Sequence, residues 1–419
     1  MKKILFAALT LTCALTFSCG DEPPERLQNE FPYTESDDLP LNFGSSQVYD
    51  LKFGGGYIYK PHKGMLYRLN PRTGNVTEVC GDPLCNHSTP DCPFYALSNI
   101  YHFTESGEIC YYTEYVKMTT DAGGNPSLES MRKFVRYDAE NHKKIIIDDF
   151  ADKSASFGPE IYSGKWRIYV GQEYDAENDK LIFGLRRADL DSGKNAFWGG
   201  EKLADDTYKP LDNVDPLFAL DGRFWFNDGK FIFSLDENGK DRINHLEPNL
   251  PIAESQIQTD GEWLYHLSPD RNSILRTRIS DGTTEVVVDD DDYSGFPFIL
   301  TQNYIYYQSG SDITVGKAEI PGYAADEIVL NGEKILRCRH DGSDKQLVCT
   351  FEGTLRPTQW IVAGNYLYCS FTRWDDADGD GIFHREDMYF SDDIGCELLR
   401  VDLSTGEKLE LTIVKQEAK

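Results

Sequence analysis

A motif of two adjacent β-strands recurs seven times along the chain, and it constrains the fold more than any other feature. The first half of each repeat carries a pair of aromatic or other large side chains one residue apart, which a strand places on one face. The second half carries mostly Leu or Ile followed by Arg, and it mostly closes on Asp-Gly, Asn-Gly or Thr-Gly, which favours a tight turn. The first halves begin at Tyr57, Ile109, Arg167, Phe224, Trp263, Tyr304 and Tyr366.

Two further strands complete each repeat. An outer strand follows the turn, and an inner strand precedes the aromatic pair, as in residues 256–261 and 359–364. Four strands repeated at roughly 40 to 60 residues are typical of a propeller blade. A β-solenoid usually has shorter rungs, and a pair of sandwiches would not repeat one motif seven times. We therefore predict an all-β chain that folds as a single β-propeller of about seven four-stranded blades over residues 46–415.

The fifth repeat also carries a family resemblance. Its residues 260–265, Asp-Gly-Glu-Trp-Leu-Tyr, and 274–282, Ile-Leu-Arg-Thr-Arg-Ile-Ser-Asp-Gly, resemble the YWTD-type propeller of low-density-lipoprotein-receptor-related proteins in its bacterial form. The similarity to TolB-like propellers is looser, and the resemblance spans roughly residues 46–412. The chain departs from the YWTD family in having seven repeats rather than six and in lacking the full Tyr-Trp-Thr-Asp string. The resemblance implies a fold only, because propellers host many unrelated activities.

The N-terminus indicates export. Lys2 and Lys3 precede an uncharged apolar stretch over residues 4–17, which is short for a membrane span. Residues 15–19 resemble the lipobox of bacterial lipoproteins, although Phe17 is bulkier than the usual small residue. We predict a signal peptide over residues 1–18, a lipid on Cys19, a polar tether over residues 19–45 and anchoring to the cell envelope or surface. The alternative is ordinary cleavage near residue 18, which would release a soluble secreted protein.

The charge of the chain bears on its partners. Its formal net charge is −28, from 42 Lys and Arg against 70 Asp and Glu. Phosphate binding needs clustered positive charge, so nucleic acid is excluded as a partner class. Docking on anionic lipid is disfavoured for the same reason, and we expect contact with a membrane only through the lipid anchor.

A cysteine-rich segment over residues 80–92 joins the first two blades. Cys80, Cys85, Cys92 and His87 could close a tetrahedral zinc site. The segment could equally form disulfides, as exported proteins often do, with Cys110 as a fourth local cysteine. Reduced thiols in an anaerobic host are a third possibility. The sequence favours disulfides because zinc would leave Cys110 without a partner, but disulfides give His87 no role.

Four later cysteines are predicted to form disulfides within their own blades. Two lie on neighbouring predicted strands of blade 6 and two on neighbouring predicted strands of blade 7. They are Cys338, Cys349, Cys369 and Cys396.

An acidic loop over residues 376–387 matches the twelve-residue calcium loop at positions 1, 3, 5 and 6. Position 12 is Asp in place of the usual Glu. The predicted ligands are Asp376, Asp378, Asp380, the carbonyl of Ile382 and Asp387. We predict a structural calcium site in a hairpin of blade 7, the alternative being a solvated acidic turn.

The chain carries no sequence motif of the common nucleophile-elbow, zinc-protease, P-loop or dinucleotide types. Of its eight histidines, His102 and His266 are those placed where they could face the channel mouth. The sequence therefore favours a binding or scaffold module for a glycan, a peptide or a protein. The alternative is an extracytoplasmic metal-assisted hydrolase or lyase with its site on the propeller face.

Overall fold

A computed structural model describes the seven blades and a short N-terminal segment. The described residues are 38, 40–41, 51–62, 65–71, 73–80, 82, 85, 92–95, 97–104, 106–120, 124, 126–139, 141–149, 159–175, 180–199, 201–202, 208–209, 211, 214–247, 257–289, 298–310, 313–320, 323–329, 333–351, 355–374, 382, 388–390 and 397–412. Within these ranges all regular structure is β-strand, and no helix is long and apolar enough to cross a membrane.

The first three blades are four-stranded antiparallel sheets. Blade 1 contains β1 (Lys52–Gly54), β2 (Tyr57–His62), β3 (Met65–Leu69) and β4 (Val76–Glu78). Blade 2 contains β5 (Leu97–Phe103), β6 (Ile109–Thr120), β7 (Pro126–Asp138) and β8 (Lys143–Asp149). Blade 3 contains β9 (Ile161–Ser163), β10 (Trp166–Asp175), β11 (Lys180–Asp189) and β12 (Asn195–Phe197).

The fourth and fifth blades repeat this order after a small separate hairpin. The hairpin pairs β13 (Glu201–Lys202) with β14 (Tyr208–Lys209). Blade 4 contains β15 (Asp215–Leu220), β16 (Arg223–Asn227), β17 (Ile232–Leu235) and β18 (Ile243–Leu246). Blade 5 contains β19 (Gln258–Thr259), β20 (Trp263–Leu267), β21 (Ser273–Arg278) and β22 (Thr284–Asp289).

The last two blades each carry an insertion between their second and third strands. Blade 6 contains β23 (Ile299–Leu300), β24 (Ile305–Ser309), β27 (Glu333–Cys338) and β28 (Gln346–Phe351), with the inserted hairpin β25 (Ile313–Ile320) and β26 (Tyr323–Val329). Blade 7 contains β29 (Leu355–Ala363), β30 (Tyr366–Trp374), β32 (Glu397–Asp402) and β33 (Lys408–Thr412), with β31 (Met388–Phe390) added to β30. The prediction of seven four-stranded blades is confirmed.

Apolar packing between neighbouring blades closes the ring. Seven clusters of buried side chains lie between successive sheets, one for each pair of neighbours. The cluster between blades 7 and 1 contains Ile58, Leu69, Tyr368 and Leu398. Each blade is built from one continuous stretch of chain, so this closure rests on side-chain packing rather than on a strand shared between the two ends.

The aromatic pairs lie on the second strands, as predicted, but they do not all point the same way. Tyr57 and Tyr59 of blade 1 pack toward blade 2, and the pairs of blades 5, 6 and 7 also face the following blade. Ile109 and Tyr111 of blade 2 pack back toward blade 1, and blades 3 and 4 behave likewise. Because side chains alternate along a strand, a shift of one residue in the repeat reverses the face.

The two ends of the blades differ. We call the turn face the end where inner and second strands, and third and outer strands, are joined by short turns. We call the hairpin face the opposite end, where second and third strands meet. Blades 1, 4 and 5 make short connections on the hairpin face, whereas the β6–β7 and β10–β11 pairs and the insertions holding β25, β26 and β31 extend it.

Candidate functional site

The three cysteines of residues 80–92 are brought together on the hairpin face, between β4 and β5. The sulphur atoms of Cys80, Cys85 and Cys92 all lie within 4.8 Å of one another. Cys80 and Cys92 are buried against the cluster between blades 1 and 2, and Cys85 is partly buried. The structure therefore assembles a compact set of sulphur ligands that the sequence placed only in one segment.

Local turns hold two of these sulphurs in place. The backbone amide of Phe94 donates a hydrogen bond to the Cys92 sulphur at 3.4 Å. The amide of Asp82 bonds to the Cys80 sulphur in the same way, two residues after the cysteine. The amide of Cys85 donates to the Asp82 carbonyl at 3.1 Å, which ties the second cysteine to the first turn. Backbone amides thus hold two of the three sulphurs, those of Cys80 and Cys92.

Burial and proximity decide the protonation of the cluster when no cation is bound. Burial, with a smaller contribution from the neighbouring Cys85 and Cys80 sulphurs, raises the pKa of the Cys92 thiol to about 12, against a lowering by the Phe94 amide. Burial also raises the pKa of Cys80. Three thiolates this close repel one another, so their joint ionisation requires a positive charge among them.

Cys110 lies apart from the three clustered cysteines, which corrects the expectation that it completes a local set of four. It sits on β6 between Ile109 and Tyr111, whose side chains face blade 1. Cys110 itself is buried between blades 2 and 3. Alternation along the strand is the physical reason, because neighbouring residues of β6 must point to opposite faces. Burial raises the pKa of the Cys110 thiol to about 12.

The later cysteines are also distributed differently from the predicted pairs. Cys338 and Cys349 do lie on the neighbouring strands β27 and β28, but on opposite sides of blade 6. Cys349 shares the cluster between blades 6 and 7 with Cys369 instead. The expected Cys338–Cys349 pair is therefore not brought together, since a disulfide needs side chains that point at each other. Cys396, the predicted partner of Cys369, lies outside the described residues.

A buried ion pair forms a second polar cluster, between blades 2 and 3. The Glu160 carboxylate accepts hydrogen bonds from Arg167 Nε at 2.8 Å and from Arg167 Nη2 at 2.7 Å. It also accepts bonds from the hydroxyls of Tyr112, at 2.7 Å, and Tyr162. Burial opposes ionisation, but the guanidinium and these bonds hold the pKa of Glu160 below its usual range. Glu160 is thus a fixed anion rather than a proton acceptor.

Aromatic rings enclose the cation of this pair. The Arg167 guanidinium carbon lies 4.0 Å from the ring centroid of Phe134 and 3.9 Å from that of Tyr169. Stacking of a cation on ring faces adds to the ion pair and immobilises both groups. The sequence analysis did not find this cluster. The signal that could have found it is Arg167 itself, which is charged where the other first halves begin with an aromatic residue or Ile.

The two candidate channel histidines differ in their surroundings. His102, on the inner strand β5, stacks on the Tyr162 ring with 4.3 Å between centroids. Burial, reinforced by Lys52, lowers the pKa of His102 to about 4, so its imidazole is neutral at physiological pH. His266 is buried, and its ring nitrogens lie 3.1 Å from the Leu267 carbonyl and 3.0 Å from the Thr277 hydroxyl. Both polar contacts of the His266 ring therefore lie within blade 5.

The N-terminal segment packs on blade 6 at the turn face. Pro40 forms a bridge with Thr301, and the amide of Leu41 donates to the Leu300 carbonyl at 2.9 Å. The N-terminal segment thus pairs along the edge of the inner strand β23 that lies opposite β24. These residues belong to the region that the sequence assigns to the tether, so residues 38, 40 and 41 of that region pack on the propeller.

Asp38 takes the place of a turn aspartate in blade 6. In blade 5, Asp260 accepts hydrogen bonds from the Trp263 amide at 2.8 Å and from the Tyr265 hydroxyl at 2.7 Å. The turn of blade 6 has no carboxylate of its own. Asp38 instead accepts bonds there from the Asn303 amide at 3.1 Å and from the Tyr306 hydroxyl at 2.9 Å.

Several predicted site residues cannot be placed. The lipidation site Cys19, the fourth zinc ligand His87 and the calcium ligands Asp376, Asp378, Asp380 and Asp387 lie outside the described residues. Ile382 is described and partly buried. The lipid anchor and the calcium site stay predictions.

No family model matches the chain, and no curated protein matches its sequence. Among solved structures, TolB from Acinetobacter baumannii is 11% identical over 73% of this chain, with a TM-score of 0.36. This chain covers 63% of that TolB chain, which is less than two thirds of its length. AztD from Citrobacter koseri is 10% identical over 85% of this chain and 94% of its own, with a TM-score of 0.38. Sequence identities and TM-scores this low support no statement about the activity or the ligand of this protein. The resemblance to the YWTD family stays a prediction.

Proposed function

We propose that this protein is a lipid-anchored, extracytoplasmic binding module whose propeller holds a protein or peptide partner on the hairpin face. The observation that carries the proposal is that the second-to-third-strand connections, which all lie on this face, are long in four of the seven blades. Blades 2, 3, 6 and 7 carry these extensions, while blades 1, 4 and 5 do not. In a ring of seven, the extended blades are two neighbouring pairs, separated by blade 1 on one side and by blades 4 and 5 on the other.

The extension of blade 2 is a long two-stranded hairpin. In blade 2, β6 last pairs with the inner strand at Thr113 and β7 last pairs with the outer strand at Lys133. Among the described residues, the strand segments 114–120 and 126–132 pair only with each other. Seven residues of strand rise roughly 20 Å, so this two-stranded hairpin stands well clear of its blade. Extensions of this length suit contact with a peptide segment or a protein better than the enclosure of a small molecule.

The described part of the predicted tether contacts the turn face of the propeller. Asp38 bonds to blade 6 at the turn face, and its carbonyl accepts a hydrogen bond from the Gly364 amide of blade 7 at 3.0 Å. Residues 19–38 can span at most about 65 Å between the lipid and this point. An anchor at Cys19 would therefore join the propeller at its turn face, and the hairpin face would lie on the side away from this attachment.

The polar clusters favour binding over the alternative of a metal-assisted hydrolase or lyase. Glu160 is committed to Arg167 and to two tyrosine hydroxyls. His266 is committed to Leu267 and Thr277 within blade 5. A general acid or base needs a group that can exchange a proton with substrate. Glu160 is occupied by contacts between blades 2 and 3, and His266 by contacts within blade 5.

The test removes the inserted hairpin of blade 6 and keeps the four strands of that blade. Residues 310–332, which hold β25 and β26, are replaced by Ser-Pro-Asp-Arg-Asn, the sequence that joins β20 to β21 at residues 268–272. The matched control is Leu347→Ser on the outer strand of the same blade, where Leu347 is 58% exposed. A specific partner that copurifies from solubilised envelope of the host should be lost with the replacement and kept with Leu347→Ser. Unchanged binding by a folded replacement variant would contradict the proposal.

A further inference from the structure

The cysteine cluster of Cys80, Cys85 and Cys92 is an odd set, and this changes its chemistry. The preference for disulfides depended on Cys110 as a fourth local thiol, but Cys110 is buried on the other side of blade 2. A disulfide uses two sulphurs and would leave the third within 4.8 Å of the bond. A thiophilic cation uses all three.

We propose that the cysteine cluster is a structural binding site for one thiophilic divalent cation, with Zn²⁺ the expected occupant. Zinc–sulphur bonds of about 2.3 Å in tetrahedral geometry place the sulphurs about 3.8 Å apart. The three sulphurs already lie within 4.8 Å of one another, so closing around the ion requires shifts of about 1 Å or less. Soft thiolate ligands select zinc over the oxygen-seeking calcium and magnesium.

The backbone around the cluster suits thiolates. The amides of Asp82 and Phe94 each bond to the sulphur of the cysteine two residues earlier. Hydrogen bonds from amides to a thiolate offset part of its negative charge and orient its lone pairs toward a metal. Two turns of the same kind on two of the three ligands are therefore a second observation that points to a metal.

The position of the site explains what the ion would do. Cys80 and Cys92 border the long connection between β4 and β5, and they pack in one cluster with Phe94, Tyr111 and Tyr137. A cation there would fasten this connection to the core between blades 1 and 2. Since metal binding to a site made on folding adds to stability, the ion would stabilise this part of the propeller.

The experiment titrates the reduced full chain with Co²⁺ under anaerobic conditions and follows its absorption spectrum. We expect one equivalent to give the thiolate-to-cobalt charge-transfer band and the visible bands of a tetrahedral site, and Zn²⁺ to displace it. Mutation of residues that hydrogen-bond to metal ligands typically lowers metal affinity by up to roughly a hundredfold. Cys92→Ser removes a ligand itself, so it should weaken cobalt binding by more than this. Cys349→Ser, which alters a buried cysteine in another cluster, should bind as the wild type does.

The absence of the charge-transfer band in fully reduced wild-type protein would overturn the proposal, whether or not the variants fold. Cobalt binding by Cys92→Ser equal to that of the wild type would overturn it too. So would a disulfide between two of the three clustered cysteines in protein taken from its native envelope, mapped by mass spectrometry.

Discussion

The carboxylate of Asp38 accepts a hydrogen bond of 2.9 Å from the hydroxyl of Tyr306, which follows it by 268 positions in the chain. The same carboxylate accepts a bond of 2.8 Å from the Thr301 hydroxyl. All three side chains are buried. The segment that leads from the predicted anchor is therefore fixed to the inner edge of blade 6 by charge-assisted bonds at low exposure.

Replacement of Asp38 should lower the free energy of unfolding. Asp38→Ala leaves the buried hydroxyls of Thr301 and Tyr306 without this acceptor, and we expect a loss of about 3 kcal/mol. Asp38→Asn keeps the shape but not the charge, so we expect a smaller loss. Denaturant unfolding monitored by tryptophan fluorescence measures both, with Asp37→Ala as the matched control. Stability of Asp38→Ala equal to that of the control would show that the segment is not fixed in this way.

His102 should make the protein less stable in mild acid. Its pKa is lowered to about 4 in the folded state against about 6.5 unfolded, so its contribution is present above pH 6.5 and is lost as the pH falls toward 4. Between pH 7 and pH 5 the loss should be about 2 kcal/mol. The carboxylate of Asp260, whose pKa is lowered to about 2, titrates below this window.

The measurement compares wild type with His102→Phe, which keeps a ring against Tyr162 and removes the titration. Urea unfolding at pH 7 and pH 5 should show a smaller drop for the variant than for the wild type. An equal drop in both proteins would assign the acid sensitivity to other groups.

The repeat predicted the blades well but not the direction of their side chains. The aromatic pairs identified the second strand of every blade, because period-two alternation is local. Whether a pair faces the following or the preceding blade depends on a shift of one residue, as between Tyr59 and Tyr111. The motif spacing did not fix that shift. The bond of Asp38 to Tyr306 leaves no local pattern at all, since the two residues meet only after the ring has formed.

The alternation of side chains along a strand bears on the prediction made for the cysteines. Cys110 stands between Ile109 and Tyr111, and a strand that turns those two toward blade 1 must turn Cys110 away. The sequence alone therefore separates Cys110 from Ile109 and Tyr111, but which of the two faces lies against blade 1 is known only from the structure. The opposite orientations of Cys338 and Cys349 were harder to predict, because a register shift in the β27–β28 pairing lies between Ile335 and Leu336.

His87 is predicted from the sequence to supply the fourth ligand of the metal site. With cobalt bound, His87→Ala should shift the visible bands and weaken binding, because loss of a ligand opens the site. His245→Ala, on the outer strand of blade 4, is the matched control and should leave the spectrum as it is, because it lies in a different part of the ring. An unchanged spectrum in His87→Ala would assign the fourth position to another ligand while leaving the three sulphurs in place.

Calcium should stabilise the protein through the acidic loop of residues 376–387. A ligand that binds only the folded state adds roughly 3 kcal/mol at a hundredfold excess over Kd. The melting temperature of the wild type should therefore be higher in millimolar calcium than in EDTA, and that of Asp378→Ala should not differ between the two. Asp291→Ala, in the acidic run at residues 289–292, is the control and should keep the response. Equal wild-type melting in both buffers would refute the site.

Site-specific photo-crosslinking in the native host tests the hairpin face most directly. A photoreactive amino acid is placed at Met118 and Phe183, which lie on β6 and β11 and are 73% and 49% exposed. The controls are Ile146 and Ile243, on the outer strands β8 and β18, which are 47% and 42% exposed. We expect discrete adducts with a partner from position 118 or 183 and none from the outer strands. Adducts from the outer strands alone, or no adduct from either hairpin position in correctly anchored protein, would contradict this expectation.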